Sequence, residues 1–442
     1  MSGSFFGGIH PDDGKKMSEH SEIENLPAPE QVVIPMSLHV GTPCEPLVKP
    51  GDTVFLGQKI GEAKGAISAP IHSSVSGVVA AVEPRLHPNG KQVMSVVILN
   101  DGKDATEPNS DAQTDKAARD PKALADIIRE AGIVGMGGAA FPTHFKISSG
   151  IGKADTLIIN GAECEPFITA DHRIMLESPD EVLSGIRYLT AAMELNKAIL
   201  AIEANKKNAI ALLKKKIGQE KDIEIRVLKT RYPQGAEKQL IQAVTGRLVP
   251  PGGLPADIGC AVFNVYTAWS VHRAVEQGIP AIDRIVTVSG PAIADPKNLR
   301  VRVGTPVSDL IEAAGGFNGT PLKVLMGGPM MGVALFDISV PVIKATNAIL
   351  AMGDESEKSV KDPKCIRCGR CVNVCPMHLL PVYMYISEQN DDMQMLDKLN
   401  LTDCMECGSC AYVCPGRLHL VSSFRTAKVK LNKFKADRTK QS

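Results

Sequence analysis

Long apolar runs and net charge are both missing from this sequence. No eighteen consecutive residues are apolar, and the first residues lack the apolar segment of a secretion signal. We therefore expect a cytosolic protein with no membrane span, soluble by itself. The 49 basic residues balance the 49 acidic ones, so the composition gives no indication of nucleic-acid binding.

Recognisable hydrolytic sites are missing as well. The sequence shows no Ser/His/Asp set and no ligand spacing typical of a metallohydrolase. This argues against acid–base chemistry on a carbon skeleton, and we assign no side chain a catalytic role of that kind. A structural role is expected for the histidines His10, His39, His72 and His144.

Cysteine is concentrated near the C-terminus, where eight of the eleven cysteines form two copies of C-x2-C-x2-C-x3-C-P. This spacing is typical of a paired [4Fe-4S] module in which the fourth cysteine of each copy ligates the other cluster. The predicted ligand sets are Cys365, Cys368, Cys371 and Cys414 for one cluster, and Cys404, Cys407, Cys410 and Cys375 for the other. Zinc sites or secreted disulfides would not explain two identical runs, so the motif predicts an electron carrier.

The N-terminal part of the chain has the composition of a β domain. Residues 39–103 are rich in glycine, proline and short alternating apolar runs, which predicts a small barrel or sandwich. The order of its turns resembles the lipoyl/biotinyl carrier fold. The carrier's lysine hairpin is missing, since Lys64 stands in Ala-Lys-Gly, and a structural or docking role is therefore expected. Residues 1–38 are expected to be an N-terminal extension.

The rest of the chain divides by pattern. A polar segment at 104–120 is predicted to be a linker. From 121 to 280, helical patterns alternate with short apolar strands, which predicts an α/β domain with a largely parallel sheet. A smaller β-rich domain is expected at 281–350 and the cluster domain at 360–421. Residues 422–442 carry seven Lys or Arg against one Asp and are expected to be a solvated tail, with docking to a membrane surface or an acidic partner as the alternative.

A glycine-rich loop follows the first helix of the α/β domain. Gly135, Gly137 and Ala140 match a G-x-G-x-x-G/A spacing, but a Rossmann loop follows a strand, so the standard dinucleotide fingerprint is not expected here. The small residues let the backbone approach a flat ligand or a phosphate, with Phe141 for stacking and Lys146 as an anion partner. A tight structural turn is the alternative.

Further polar groups follow strands or open helices. Glu163 and Glu165 flank Cys164 just after a predicted strand, where open α/β sheets bind ligands. Glu237 and Asn264 lie where helices are predicted to begin, so their polar groups could face a ligand at helix N-termini. Capping or turn roles are the alternatives at both helix starts.

Taken in order, these motifs resemble the flavin- and NADH-binding subunit of respiratory complex I. They are more similar to the C subunit of the Rnf-type ion-translocating ferredoxin–NAD oxidoreductase complex, over essentially the whole chain. The resemblance includes residues 160–166, 231–235 and 327–332 and the tandem cysteine motif. It implies a multidomain α/β protein with a lipoyl-like barrel-sandwich domain, an α/β FMN/NADH-binding domain, a β-grasp (SLBB) domain and a bacterial-type 2[4Fe-4S] ferredoxin domain.

The resemblance also implies which residues hold each ligand. FMN would be held by Gly135, Gly137, Gly138, Lys146, Asn160 and Asn264. NAD(H) would contact Phe141, Glu163, Glu165 and Glu237.

The expected function follows from electron counting. NADH gives up two electrons as a hydride, a [4Fe-4S] cluster carries one, and a flavin can accept two and release them singly. The combination predicts transfer from NADH through FMN to the clusters, in an NAD(H)-oxidoreducing subunit of a membrane-bound complex. The implied partners are integral-membrane and iron–sulfur subunits, with ferredoxin reached indirectly. The implied location is peripheral, on the cytoplasmic side of the cell membrane.

Two other functions fit the same domains. A cobalamin reductase shares this domain set, and a non-enzymatic ferredoxin-like relay would use the α/β domain only for docking. The Gly-Gly-Ile-His sequence at 7–10 and the basic tail favour the Rnf-type subunit over the cobalamin reductase. Flavin analysis after anaerobic purification would separate the relay from the two enzymes, and co-purifying proteins would separate the enzymes from each other.

Overall fold

The computed structural model describes residues 4–107, 120–353 and 363–441, with side chains as far as residue 438. The strands are β1 Ile23–Asn25, β2 Gln31–Pro35, β3 Glu45–Pro46, β4 Thr53–Val54, β5 Lys59–Glu62, β6 Ile71–His72, β7 Gly77–Leu86, β8 Gln92–Asn100, β9 Thr156–Gly161, β10 Ala198–Glu203, β11 Ile223–Leu228, β12 Cys260–Asn264, β13 Asp283–Ser289, β14 Lys297–Arg302, β15 Lys323–Met326, β16 Val333–Ala334 and β17 Ala348–Met352. The helices are α1 Pro121–Glu130, α2 Thr143–Gly150, α3 Ala170–Glu177, α4 Pro179–Ala192, α5 Lys207–Ile217, α6 Glu237–Thr245, α7 Val265–Gln277, α8 Val307–Ala313, α9 Arg370–Asn373, α10 Pro381–Gln389, α11 Met393–Lys398, α12 Ser409–Tyr412 and α13 Leu420–Gln441. Residues 108–119 of the predicted linker and 360–362 of the predicted cluster domain lie outside the described ranges.

The N-terminal β domain consists of two small antiparallel sheets, in the strand orders β2-β8-β7-β4 and β3-β5-β6. Val32 and Ile34 of β2 are fully buried with Val96 and Ile98 of β8, because alternate side chains of a strand point to the same face. Strand β2 pairs with β8 over its whole length. Part of the expected N-terminal extension therefore belongs to this barrel.

The α/β domain has a four-stranded parallel sheet in the order β11-β10-β9-β12. Helix α1 begins where the sequence predicted it, because Asp120 accepts a hydrogen bond from the backbone N–H of Ala123 at 2.8 Å and Pro121 occupies the first turn. Strands β9 and β12 are neighbours, and Asn160 and Asn264 are register partners at their carboxyl ends. The polar groups that follow these strands therefore meet at one edge of the sheet.

The β-grasp domain has a six-stranded sheet in the order β1-β14-β13-β17-β15-β16. Strand β1 pairs in parallel with β14, so a second part of the expected N-terminal extension belongs to this domain. Helix α8 packs on the sheet through Val307, Leu310 and Ile311.

The cluster domain includes the C-terminal helix α13. Leu420, Phe424, Ala427 and Leu431 are buried in its core, and their spacing places them on one helix face. The expectation of a solvated tail at 422–442 is therefore wrong over the described part of that segment. None of the helices in the described ranges is both long and apolar enough to cross a membrane.

Close packing of α4 against α7 fixes the start of α7, where Asn264 lies. A Cβ atom at Gly185 of α4 would lie 1.7 Å from the carbonyl oxygen of Ala268 in α7. We expect Gly185→Ala to lower the free energy of unfolding by about 1–3 kcal/mol or more, because the backbones must separate. The shift in unfolding midpoint, measured anaerobically, would test this.

Gly150→Ala is the matched control, since it also replaces a helical glycine. The nearest atom to its added Cβ is the terminal carbon of Met193, which is flexible and can move. That variant should stay within about 1 kcal/mol of the wild type. Equal midpoints for the two variants would contradict a tight contact at Gly185.

Candidate functional site

The glycine loop between α1 and α2 has an exposed tip formed by Gly137, Gly138 and the alanine after them. The tip is held against α7, since the backbone N–H of Met136 donates to Oγ1 of Thr267 at 3.1 Å. A Cβ at Gly137 would lie 2.7 Å from Nδ2 of Asn264, whereas one at Gly138 would meet nothing within 4 Å. The loop thus approaches Asn264 closely and leaves open space beside Gly138, as a flat ligand requires.

Two asparagines at the edge of the sheet have fixed orientations. Oδ1 of Asn264 caps α7 by accepting from the N–H of Tyr266 at 2.8 Å, and Nδ2 donates to Asp171 at 2.7 Å. Oδ1 of Asn160 accepts from the N–H of Ala162 at 3.0 Å, and its Nδ2 donates to the carbonyl of Gly235 at 2.8 Å. Both side chains belong to a hydrogen-bonded frame around the loop.

Glu163 is buried under this frame. Its Oε1 accepts from the N–H of Asp171 at 2.7 Å, so the carboxyl group caps the start of α3. Burial raises its pKa to about 7, against the opposing positive charges of Lys15 and Lys206. Lys206 itself donates to the carbonyl oxygen of Glu163 at 3.3 Å. The structure gives Glu163 a capping role, and its expected NAD(H) contact stays a prediction.

Glu165 joins the α/β domain to the β-grasp domain. Its carboxylate accepts from the backbone N–H groups of Met330 at 3.1 Å and Met331 at 3.0 Å. Burial raises the pKa of Glu165 to about 7, and those two hydrogen bonds act in the opposite direction. A Cβ at Gly328 would lie 2.1 Å from the carboxylate, so the loop fits tightly around it.

Lys146 and Glu237 form an ion pair with 2.8 Å between Nζ and Oε1, and both side chains are partly exposed. Lys146 also donates to the carbonyl of Val262 at 3.0 Å. Phe141 lies nearby in sequence and packs edge-on against Phe145, with 5.7 Å between ring centroids. Lys146, which is expected to hold FMN, thus lies beside Glu237, which is expected to contact NAD(H).

The cluster domain surrounds a cavity with the thiols of one predicted ligand set: Cys375, Cys404, Cys407 and Cys410. All eleven cysteines of the chain are free. The four thiols are spread around the cavity. In the described ranges, no three His, Cys, Asp or Glu side chains are close enough together to hold one metal ion. Burial raises the pKa of the Cys404 thiol to about 11.

The other predicted ligand set lies at the outer end of the domain. Cys365 and Cys368 are exposed, and Cys371 and Cys414 are partly buried. Burial raises the pKa of the Cys371 thiol. The assignment of Cys414 to this set stays a prediction.

The inner cysteine set abuts the α/β domain. The hydroxyl of Tyr232 donates to the carbonyl of Cys407 at 2.7 Å, and the side-chain amide of Gln239 donates to the carbonyl of Pro376 at 3.2 Å. The N-terminal segment adds a further bond, from the N–H of Gly8 to the carbonyl of Val374 at 2.8 Å. The α/β domain and the inner cysteine set are thus joined by direct contacts.

Sequence patterns did not identify several residues that shape the site. Buried Arg284 donates to the carbonyl of Met136 in the glycine loop at 3.0 Å, and its Nη1 has no hydrogen-bond partner in the described ranges. Lys15 donates to the carbonyl of Glu165 at 2.9 Å. Neither residue lies in a motif, and only burial in the folded chain reveals them. Asp171, in the first turn of α3, also lies outside the motifs.

Four family models match the chain in succession. They are the RnfC barrel sandwich hybrid domain at 3–103, the Nuo51 FMN-binding domain at 128–273, the SLBB domain at 285–334 and the 4Fe-4S dicluster domain at 364–417. These matches confirm the expected fold class and the expected FMN and paired [4Fe-4S] cofactors.

Similar proteins extend over nearly the whole chain. The C subunit of the Na(+)-translocating ferredoxin:NAD(+) oxidoreductase complex of Acetobacterium woodii is 46% identical over 427 residues, which are 96% of each chain. Its counterpart in the proton-translocating ferredoxin:NAD(+) oxidoreductase complex of Clostridium ljungdahlii is 44% identical, over 91% of this chain and 88% of the relative. The C subunit of the ion-translocating oxidoreductase complex of Rhodobacter capsulatus is 44% identical, over 98% and 84% respectively.

Solved structures share the fold at lower identity. A chain of the NAD+-reducing [NiFe]-hydrogenase in the H2-reduced state is 21% identical with a TM-score of 0.52, covering 74% of this chain and 65% of its own. The air-oxidised state of that enzyme gives the same TM-score at 20% identity. This likeness concerns the fold alone. The three C subunits are 44–46% identical to this chain over 91–98% of its length. The chain therefore belongs to the family of C subunits of ion-translocating ferredoxin:NAD(+) oxidoreductase complexes.

Proposed function

We propose that this chain is the NAD(H)-oxidoreducing electron-transfer subunit of an ion-translocating ferredoxin:NAD+ oxidoreductase complex. It passes electrons between NAD(H), FMN and two [4Fe-4S] clusters, and partner subunits couple this transfer to ferredoxin oxidation and ion movement. One observation carries the proposal: the two sites are linked through a single intervening residue, Met330. Glu165 binds the N–H of Met330, and Met330 packs against Gly408, between two predicted cluster ligands.

The residues present fit the cofactors. FMN, when bound, exchanges two electrons with NAD(H) and single electrons with a [4Fe-4S] cluster. Exposed backbone at Gly137 and Gly138, with open space beside Gly138, suits a flat ring or a phosphate. Asn160 and Asn264 orient the frame beneath, and the ammonium of Lys146 supplies a positive charge for the phosphate.

Glu237 and Phe141 are the best-placed residues for NAD(H). The Glu237 carboxylate is partly exposed and suited to ribose hydroxyls. Glu163 and Glu165 are also proposed to contact NAD(H), although their carboxylates already bind backbone N–H groups in the described structure. Their role is then to position the loops around the nicotinamide nucleotide.

The two cluster sites take different places in the path. Cys375 with Cys404, Cys407 and Cys410 would hold the cluster next to the α/β domain, because that domain donates hydrogen bonds to two of the residues that line their cavity. Exposed Cys365 and Cys368, with Cys371 and Cys414, would hold the outer cluster. With both clusters bound, electrons from NADH would reach the inner cluster before the outer one.

The proposed partners are the integral-membrane and iron–sulfur subunits of the same complex. The similar C subunits are named as parts of complexes that translocate ions, and ion translocation requires subunits that span a membrane. The proposed position of this chain is peripheral, on the cytoplasmic side of the cell membrane, because NAD(H) is a cytosolic substrate.

The function is tested on the anaerobically purified chain without membranes. We expect one FMN per chain, and we expect NADH to bleach the absorbance of both clusters, because the flavin converts a hydride into single electrons. The control is the same protein after removal of FMN, which should keep its clusters and lose their reduction by NADH. A chain without flavin whose clusters NADH cannot reduce would support the relay instead.

Crossed ligation is tested by Cys414→Ser. The variant should lose the paramagnetic signal of the outer cluster, because its thiolate would complete the set of the first motif. Cys368→Ser and Cys407→Ser supply reference spectra for loss of the outer and the inner cluster. Cys260→Ser, at a buried cysteine outside both motifs, is the control. A Cys414→Ser spectrum that matches that of Cys407→Ser would disprove the crossing.

The division of the nucleotide site is tested by Glu237→Gln and Lys146→Ala. Glu237→Gln should raise the KM for NADH by about tenfold while flavin is retained, because a charged hydrogen bond to the ribose is lost. Lys146→Ala should weaken FMN retention by a similar factor. Lys153→Ala, at an exposed lysine just after α2, is the control. If Glu237→Gln lost flavin and kept a normal KM, the division would be wrong.

A further inference from the structure

The two halves of the cluster domain are related by an internal repeat, so their surfaces can be compared position by position. Arg367 and Glu406 occupy the same place in the two motifs, with φ of 56° and 58°. The residues after the fourth cysteines also correspond: Arg417 and His378 have φ of 53° and 55°. Equal backbone conformation means that the halves present equivalent faces.

The face of the second motif is covered by this chain's own domains. Cys407, Gly408 and Ser409 are buried. The Tyr232 hydroxyl binds the carbonyl of Cys407, and a Cβ at Gly408 would lie 3.1 Å from the carbonyl oxygen of Met330. This half of the module therefore docks on the domain with which it exchanges electrons.

The equivalent face of the first motif is uncovered. Cys368 and Arg370, which correspond to Cys407 and Ser409, are exposed. Ile366 is 67% exposed, whereas its counterpart Met405 is partly buried in an apolar cluster that includes Tyr232 of the α/β domain. A cluster ligand and an apolar side chain thus face outwards where the other half has a protein contact.

The uncovered face is also cationic. Arg367, Arg370 and Arg417 are exposed, and none of them forms an ion pair within the described ranges. Residues 363–375 and 411–421, which build this end of the domain, contain no Asp or Glu. The second motif differs here too, since Glu406 is paired with Arg425 at 2.8 Å and Lys428 at 2.7 Å.

We propose that the cationic face, formed by Ile366, Arg367, Cys368, Arg370 and Arg417, is the docking surface for an acidic iron–sulfur protein of the membrane complex. Positive charge around the outer cluster selects a partner whose redox centre is surrounded by carboxylates, and the apolar Ile366 supplies a contact that excludes water. With its cluster bound, this face would pass one electron per encounter: the outer cluster would be oxidised and the partner's cluster reduced, with no bond or proton changing place. The inference rests on the proposed function and adds the surface and the charge of the partner.

The test uses the purified holo chain and membranes that contain the remaining subunits but lack this chain. NADH is added, and reduction of the membrane clusters is followed by electron paramagnetic resonance. The wild-type rate should fall steeply as salt is raised, because electrostatic steering is screened. The triple variant R367E/R370E/R417E should be slower by about tenfold or more at low salt and should have lost most of the salt dependence.

Internal controls keep the outcome decisive. Glu at position 367 is compatible with the backbone, since Glu406 has the same conformation in the second motif. The variant should therefore keep both clusters and their reduction by NADH. The control K207E/K214E/K215E makes the same charge change on exposed lysines of α5 and should transfer electrons at the wild-type rate.

The results distinguish a failure of the proposed function from a failure of the docking inference. If NADH does not reduce the clusters of the wild-type chain, the proposed function is wrong. If it does, the docking inference is overturned by a salt-independent wild-type rate, by an unaffected R367E/R370E/R417E variant, or by an equal loss in the α5 control. The salt dependence of the wild type decides the question even if the triple variant loses a cluster.

Discussion

A buried ammonium group fixes the segment on which the rest of the site depends. Lys15 is 4% exposed, and its Nζ donates to the carbonyl oxygens of Glu165 at 2.9 Å and Ile168 at 2.5 Å. A charge withdrawn from water requires such partners, because an unpaired buried charge is strongly unfavourable. The segment between β9 and α3 is held by these bonds, and it carries both glutamates of the site. The same segment binds the β-grasp loop at Met330, which touches the cluster domain at Gly408.

The electrostatics beside the predicted flavin site are dominated by burial. Burial raises the pKa of Glu163 and of Glu165 to about 7, and it lowers the pKa of Lys15. Positive charges at Lys15 and Lys206 partly offset the shift of Glu163. Two carboxyl groups with pKa values near neutrality thus lie in the frame that connects the nucleotide-like site with the inner cysteine set. Both carboxyl groups accept hydrogen bonds from backbone N–H groups, so the charge on Glu163 and Glu165 and the positions of the loops depend on each other.

The two cysteine motifs of the cluster domain have matching backbones but different surroundings. Both motifs have the same spacing and the same left-handed glycine, Gly369 or Gly408, before a short helix. The difference lies in what covers them. Tyr232 and Met330 cover the second copy, while the first copy keeps Arg370 and its neighbours in solvent. An inner and an outer end follow from packing against the α/β domain and not from the motifs themselves.

Local patterns in the sequence determined the domain classes, the paired clusters and the strand–helix alternation, because spacing along the chain directly sets which groups share a turn or a face. The apolar spacing from Leu420 to Leu431 is typical of a helix, but the many Lys and Arg residues around it favoured the expectation of a solvated tail. Tertiary structure alone decided that β1 and β2 belong to two different domains, that Lys15 is buried, and that Glu163 caps a helix. The burial of Lys15 against Glu165 and the pairing of β1 with β14 depend on contacts between segments more than a hundred residues apart, and no pattern of neighbouring residues records which distant surfaces bury each other.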